Sequence, residues 1–179
     1  MRFVLRIIAK SKWYDNAEKI EQLLREGRLQ ADALNDLIRA DALNDLRTTG
    51  DRLSVWYIDA FKSNLQQIIV ALAANRDRID KFDYVLLKDS TLSALGIRIQ
   101  ESPGDTPDDE VNTCHSELVE LSLEMLLKLV SVIRISERVR VPEAKIRQQL
   151  LEAVSSRRLS LDRMNSAMAS SIIKMRQQA

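Results

Sequence analysis

Cysteine and histidine each occur once in this chain of 179 residues, as the neighbours Cys114 and His115. A single cysteine excludes an intrachain disulfide framework and a thiolate zinc site, and it fits a reducing, cytoplasmic compartment. A single histidine leaves no recognisable zinc constellation. If the two residues lie on a helix, their side chains diverge by about 100°, so adjacency alone makes no Cys/His nucleophile pair. Glycine is almost as scarce. Gly27, Gly50, Gly96 and Gly104 are far apart, which excludes both the phosphate-cradling loop and the dinucleotide fingerprint. Aromatic residues stop at Tyr84, so the rest of the chain has no platform for stacking unpaired bases. No cofactor or metal is expected.

Charge of one sign is also lacking overall, with a formal net charge of +1, which gives no global pull toward nucleic acid or anionic membrane. The distribution is uneven. Residues 1–110 carry 16 Lys and Arg against 19 Asp and Glu, whereas residues 111–179 carry 11 against 7. No long uncharged apolar run is present. The longest apolar stretch, Val111 to Ile135, contains Glu120, Glu124 and Lys128, each costing roughly 2.5–3.5 kcal/mol at the centre of a bilayer. That stretch therefore reads as a helix buried on most sides, with one narrow polar stripe marked by Glu120, Glu124, Arg134 and Arg138. At the N-terminus Arg6 interrupts the apolar residues and Lys10 and Lys12 end them, too soon for a secretory signal.

What is present points to a mixed fold. Phe3 to Ala9 is a short apolar run that reads as a strand covered on both faces. Ala17, Ile20, Leu23 and Leu24 recur at helical spacing, with Gly27 as C-cap, and Trp13 and Tyr14 read as a core plug before them. Ala31 to Leu37 and Ala40 to Leu46 are the same seven residues, a local tandem duplication whose odd offset of nine stops both copies packing the same way. The acidic residues there lack the spacing of a calcium loop. Leu53 to Ile58 is the most strand-like run, with the segment near Leu46 as a candidate hairpin partner. Asn64 opens a helix through Leu65, Ile68, Ile69, Leu72 and Ala73. Tyr84 to Leu87 and Ile97 to Ile99 read as further strands.

Pro103, Gly104 and Pro107 mark a boundary. Thr106 is the expected N-cap and Pro107 the first residue of the long helix through Ile135, with Asp109 at the capping-box position. Pro142 opens a helix carrying Ile146, Leu150, Leu151 and Val154, and Ser160 caps a last helix carrying Leu161, Met164, Met168, Ile172 and Met175. The expected class is α+β. A small sheet with flanking helices occupies 1–102. A C-terminal helical bundle built on the long buried helix occupies 103–179 and packs on the sheet layer as one cooperative unit.

With catalytic motifs missing and amphipathic helix in surplus, the leading expectation is a non-enzymatic interaction or assembly component. Its contact would be the stripe Met164, Met168, Ile172 and Met175, and its partner a second copy or another protein. An alternative is a nucleic-acid-binding accessory protein using Arg140, Lys145, Arg147, Arg157, Arg158 and Arg163, although acidic residues dilute that region. A further alternative is a metal-dependent nuclease or hydrolase using carboxylates near strand ends, Asp51, Asp59, Asp83 and Asp89, although no spacing selects them.

Overall fold

Val4 and Leu5 are adjacent in sequence and both fully buried. Successive strand residues point to opposite faces, so the strand that carries them must be covered on both. The computed structural model describes residues 2–8, 22, 25–27 and 50–177. In it β1 (Phe3–Ile7) lies inside a six-stranded sheet with β2 (Leu53–Ile58), β3 (Phe82–Lys88), β4 (Arg98–Glu101), β5 (His115–Val119) and β6 (Arg138–Val141), in the order β4-β5-β2-β1-β3-β6. Every pairing is antiparallel. The tandem heptapeptides, Trp13 and Tyr14 lie outside the described residues. Of the helix expected over 17–27, Gln22 and Arg25 are helical, and Gly27 has the left-handed φ of +63° expected of its C-cap.

Alternation sorts the core into two layers. On one face Leu5, Trp56, Ile58, Phe82, Tyr84 and Val141 pack under α1 (Leu65–Ala74), α5 (Glu143–Ser155) and α6 (Ser166–Gln177). On the other face Val4, Val55, Val85, Leu87 and Leu118 pack under α2 (Asp89–Ala94) and α4 (Leu123–Ile135). Each fully buried aliphatic side chain contributes about 1.5–3 kcal/mol of transfer free energy, so both layers stabilise the sheet. The short α3 (Asp109–Asn112) links β4 to β5.

The long helix expected from Pro107 to Ile135 is replaced by α3, β5 and α4. Asp108, not Thr106, caps α3, accepting from the backbone N–H groups of Glu110 and Val111. Thr106 is buried and donates to Asn112 Oδ1. Between β5 and α4 the chain turns at Glu120, whose φ of +56° neither element can hold, and Ser122 then caps α4 by accepting from the Met125 N–H. The supposed polar stripe is dispersed accordingly. Glu120 pairs with Arg98 across that turn at 2.7 Å, and Arg138 belongs to β6.

The helix buried along most of its length is α1, where Ile68 to Ala74 are all buried between sheet, α5 and α6. The last helices do not close over α4. They lie across the sheet from it, since α5 and α6 share a core with Phe82 while α4 shares one with Val85. Strands from both sides of the 102/103 boundary lie in one sheet. The last helix begins later than expected: Leu161–Arg163 form a 3-10 turn, and Asn165 accepts from the Ala167 N–H at the start of α6.

Candidate interaction surface

The methionine stripe belongs to the core. Met168 and Ile172 are fully buried, Met164 is 7% exposed, and Met175 is half-buried against the same cluster. Asn165 donates its backbone N–H to the Ala74 carbonyl, tying the start of α6 to the end of α1.

The six basic candidates are not brought onto one face. Arg140 lies on β6 and points to the α4 side of the sheet, where it holds Asp83 through paired bonds of 2.9 and 3.1 Å. Arg138 grips the same carboxylate. Burial opposes ionisation of Asp83, but the bonds from Arg140 and Arg138 outweigh it and hold the carboxyl below its ordinary value. Arg147 pairs with Glu143 one turn away at 2.6 Å, and Arg163 makes two 2.6 Å bonds to Asp109. Lys145, Arg157 and Arg158 are exposed without an ion-pair partner among the described residues. Arg157 has a backbone role of its own. Its φ is +61°, and the Arg157 and Arg158 N–H groups return to the Val154 and Ala153 carbonyls, a left-handed helix cap of the Schellman type.

The four candidate carboxylates divide between opposite ends of the sheet. Asp59 follows β2 and Asp89 follows β3, both beside the start of β1, whereas Asp51 and Asp83 lie at the other ends of those strands. A strand of five to seven residues separates the pairs by roughly 16–23 Å. Asp59 organises its own loop, accepting from Ser63, Asn64 and Phe61. The Ser63 hydroxyl is the main cause of its depressed pKa of about 2, with the backbone N–H groups adding to it against a smaller desolvation cost. Phe61, at the tip of that loop, is 94% exposed. Among the described residues no group of three or more His, Cys, Asp and Glu is placed to hold a metal ion.

Cys114 and His115 lie at the start of β5 rather than on a helix, and their side chains diverge. The Cys114 sulfur lies 3.7 Å from Asn64 Nδ2 and 3.9 Å from the Glu110 carbonyl. His115 Nδ1 lies 3.0 Å from the Ser102 carbonyl and its ring meets Trp56 edge-on at 4.9 Å. A carbonyl only accepts, so Nδ1 carries the proton, which leaves Nε2 with the lone pair in the neutral ring. His115, Glu101, Ser102 and Thr113 border a cavity of about 360 Å³. Gly104 allows this packing, because a Cβ there would meet Asn112 and His115 at 2.9–3.0 Å.

Among the described residues four large apolar side chains are exposed: Phe61, Ile173 and, on α4, Leu123 and Ile135. Ile135 is 81% exposed and Leu123 51%, although α4 also supplies the buried Leu129, Val130 and Ile133. Beside them a cavity of about 390 Å³ is walled by Leu95, Leu127, Val132 and Ile135 and rimmed by Glu124, Lys128 and Ser131. Lys128 pairs with Glu124 at 2.7 Å one turn apart, which keeps the rim neutral. Sequence reasoning missed this surface because it took the whole of Val111 to Ile135 as one buried helix. The signal available was that α4 carries more apolar residues, Leu123 and Ile135 among them, than the one apolar face a helix on a sheet needs. Among the described residues no helix is long and apolar enough to cross a membrane. Compared with known protein families, curated proteins and solved structures, the chain matches none.

Proposed function

We propose that this protein is a non-catalytic interaction component whose docking element is the outer face of α4. The observation that carries the reading is the cavity beside Ile135, an apolar pocket with a neutral rim next to a side chain that is 81% exposed. Its shape suits a helix laid along α4. The stripe from Glu124 to Ile135 covers twelve residues, a rise of about 16 Å, or three turns of a partner helix. Leu127 and Val132 form the floor on which an apolar anchor would rest. The stripe at Met164, Met168, Ile172 and Met175 is less suited to that role, because engaging it would mean opening a core shared with Phe82 and Ile146. The basic alternative is less favoured, because Arg140, Arg147 and Arg163 are engaged with Asp83, Glu143 and Asp109. A reducing, cytoplasmic setting belongs to the same reading, supported by the lone free Cys114.

The test uses the environment-sensitive dye bis-ANS with dilute folded protein. Dye fluorescence should rise on addition of the wild-type chain and fall by most of its amplitude in Ile135→Lys, with the circular dichroism spectrum unchanged. An equal signal from both proteins, or none from either, would remove the α4 surface as the docking site.

A further inference from the structure

We infer that the cavity beside His115 binds a small primary amine in its protonated form. The site lies across the sheet from α4, because His115 stands opposite Trp56 in the register of β2 and β5, and Trp56 belongs to the core layer under α1, α5 and α6. His115 is 8% exposed. Its ring is fixed by the edge of Trp56 at 4.9 Å and by the Ser102 carbonyl 3.0 Å from Nδ1. The Gly104 backbone confines it further, since a Cβ there would come within 3.0 Å of the His115 Cβ. Nε2 has no hydrogen-bond partner among the described residues and is not sealed from solvent. A ring so deeply buried opens onto the cavity of about 360 Å³ that it borders, so Nε2 offers that space an unmet hydrogen-bonding group.

The hydrogen-bond inventory decides what the space can hold. The Nδ1 proton is committed to the Ser102 carbonyl, so Nε2 of the neutral ring can only accept. Thr113 borders the same cavity, and its hydroxyl hydrogen is committed to the Glu110 carbonyl at 2.7 Å, so its oxygen also can only accept. Asn112 is held by Thr106, whose backbone N–H and hydroxyl donate to Oδ1 and whose carbonyl accepts from Nδ2. Acceptors with no donor to spare select a ligand group that has donors and no acceptor, which describes an ammonium.

Charge selects the same group. Residues 101–113 carry Glu101, Asp105, Asp108, Asp109 and Glu110 and no lysine or arginine. Arg163 neutralises Asp109, whereas the side chain that reaches Asp108 and Glu110 is the neutral amide of Gln67. Glu101 stands opposite Ser116, on the other face of the sheet from His115, and acts through its field. The segment therefore repels anions and attracts cations. A cavity of this volume is at the small end of ligand sites, so the amine is compact and its alkyl part rests on Pro103. One ammonium in an open site gives an expected dissociation constant of about 1 mM.

The chain has one histidine, so its ring nitrogens can be followed directly in a long-range proton–nitrogen correlation spectrum of the intact protein at about pH 8, where alkyl amines are protonated. The ligand-free protein should show a protonated Nδ1 and an unprotonated Nε2. Butylamine should move the Nε2 resonance saturably with a midpoint of about 1 mM, and butyrate, of the same length and opposite charge, should leave it in place. Thr113→Val should weaken butylamine binding by about threefold or more, and Glu101→Gln combined with Asp105→Asn should also weaken it. A proton on Nε2 in the ligand-free protein, equal movement with butyrate, or no saturable movement up to about 20 mM butylamine would overturn the inference. Binding of unchanged strength in both Thr113→Val and the doubly neutralised chain would overturn it too.

Discussion

Arg157 occupies a position that backbone geometry reserves for glycine. Its φ of +61° and the returning hydrogen bonds from Arg157 and Arg158 place it at the left-handed residue just beyond α5. A non-glycine residue there is strained by roughly 1 kcal/mol. Arg157→Gly is therefore expected to raise stability by about 0.5–1 kcal/mol in urea unfolding, and a clear loss would show that the arginine side chain does more than end a helix. The turn forms with arginine in the position glycine usually takes.

In the loop after β2, Asp59 is held near a pKa of about 2, below the about 3.9 of an unfolded chain. The unfolded state then binds more protons between those values, so this group contributes stability above about pH 4 and loses it as pH falls toward 2. The gap in Tm between wild type and Asp59→Asn should close over that interval, whereas a gap independent of pH would contradict the loop geometry.

Among the elements, those with one clear periodicity were legible. β1, β2 and β3 are compact apolar runs, and α1 and α5 repeat at helical spacing. The order of the strands was not, because pairing is decided by contacts distant in sequence. β5 was hidden because Leu118 and Val119 run straight into Leu121 and Leu123, which joins a strand and a helix into a single apolar stretch. The break is Glu120, whose positive φ has no compositional signature. β6 did leave a trace in the alternation Arg138, Val139, Arg140, Val141, the period of a strand with one covered face. The charged side of that strand became the clamp on Asp83, so its two arginines are part of the fold's own electrostatics.

α6 repeats at helical spacing and was legible too, and its stripe was correctly read as amphipathic, but sequence could not say whether the surface that covers it belongs to this chain. Met168 is fully buried in the layer with α1 and α5, so Met168→Ala should cost about 2–5 kcal/mol of unfolding free energy. A loss below about 1 kcal/mol would indicate that α6 is only loosely docked.

For the molecule as a whole, the sheet is the organising element, with β5 and β6 from the later half of the chain flanking strands from the earlier half. Two core layers result. One lies under three helices, α1, α5 and α6, and the other lies under α2 and α4, where Leu123 and Ile135 stay exposed among the described residues. The stretch from Val111 to Ile135 is in that sense still central, contributing a strand to the sheet and a helix whose inner face completes the second core. On its outer side Ile135 is exposed among the described residues.

The most direct measurement is amide hydrogen exchange of the intact protein with and without bis-ANS, resolved by peptide. Docking at α4 should slow exchange in residues 123–135 when the dye is bound and leave 143–155 and 166–177 unchanged. Protection confined to 143–155 or 166–177 would contradict the account and return the contact to the C-terminal helices.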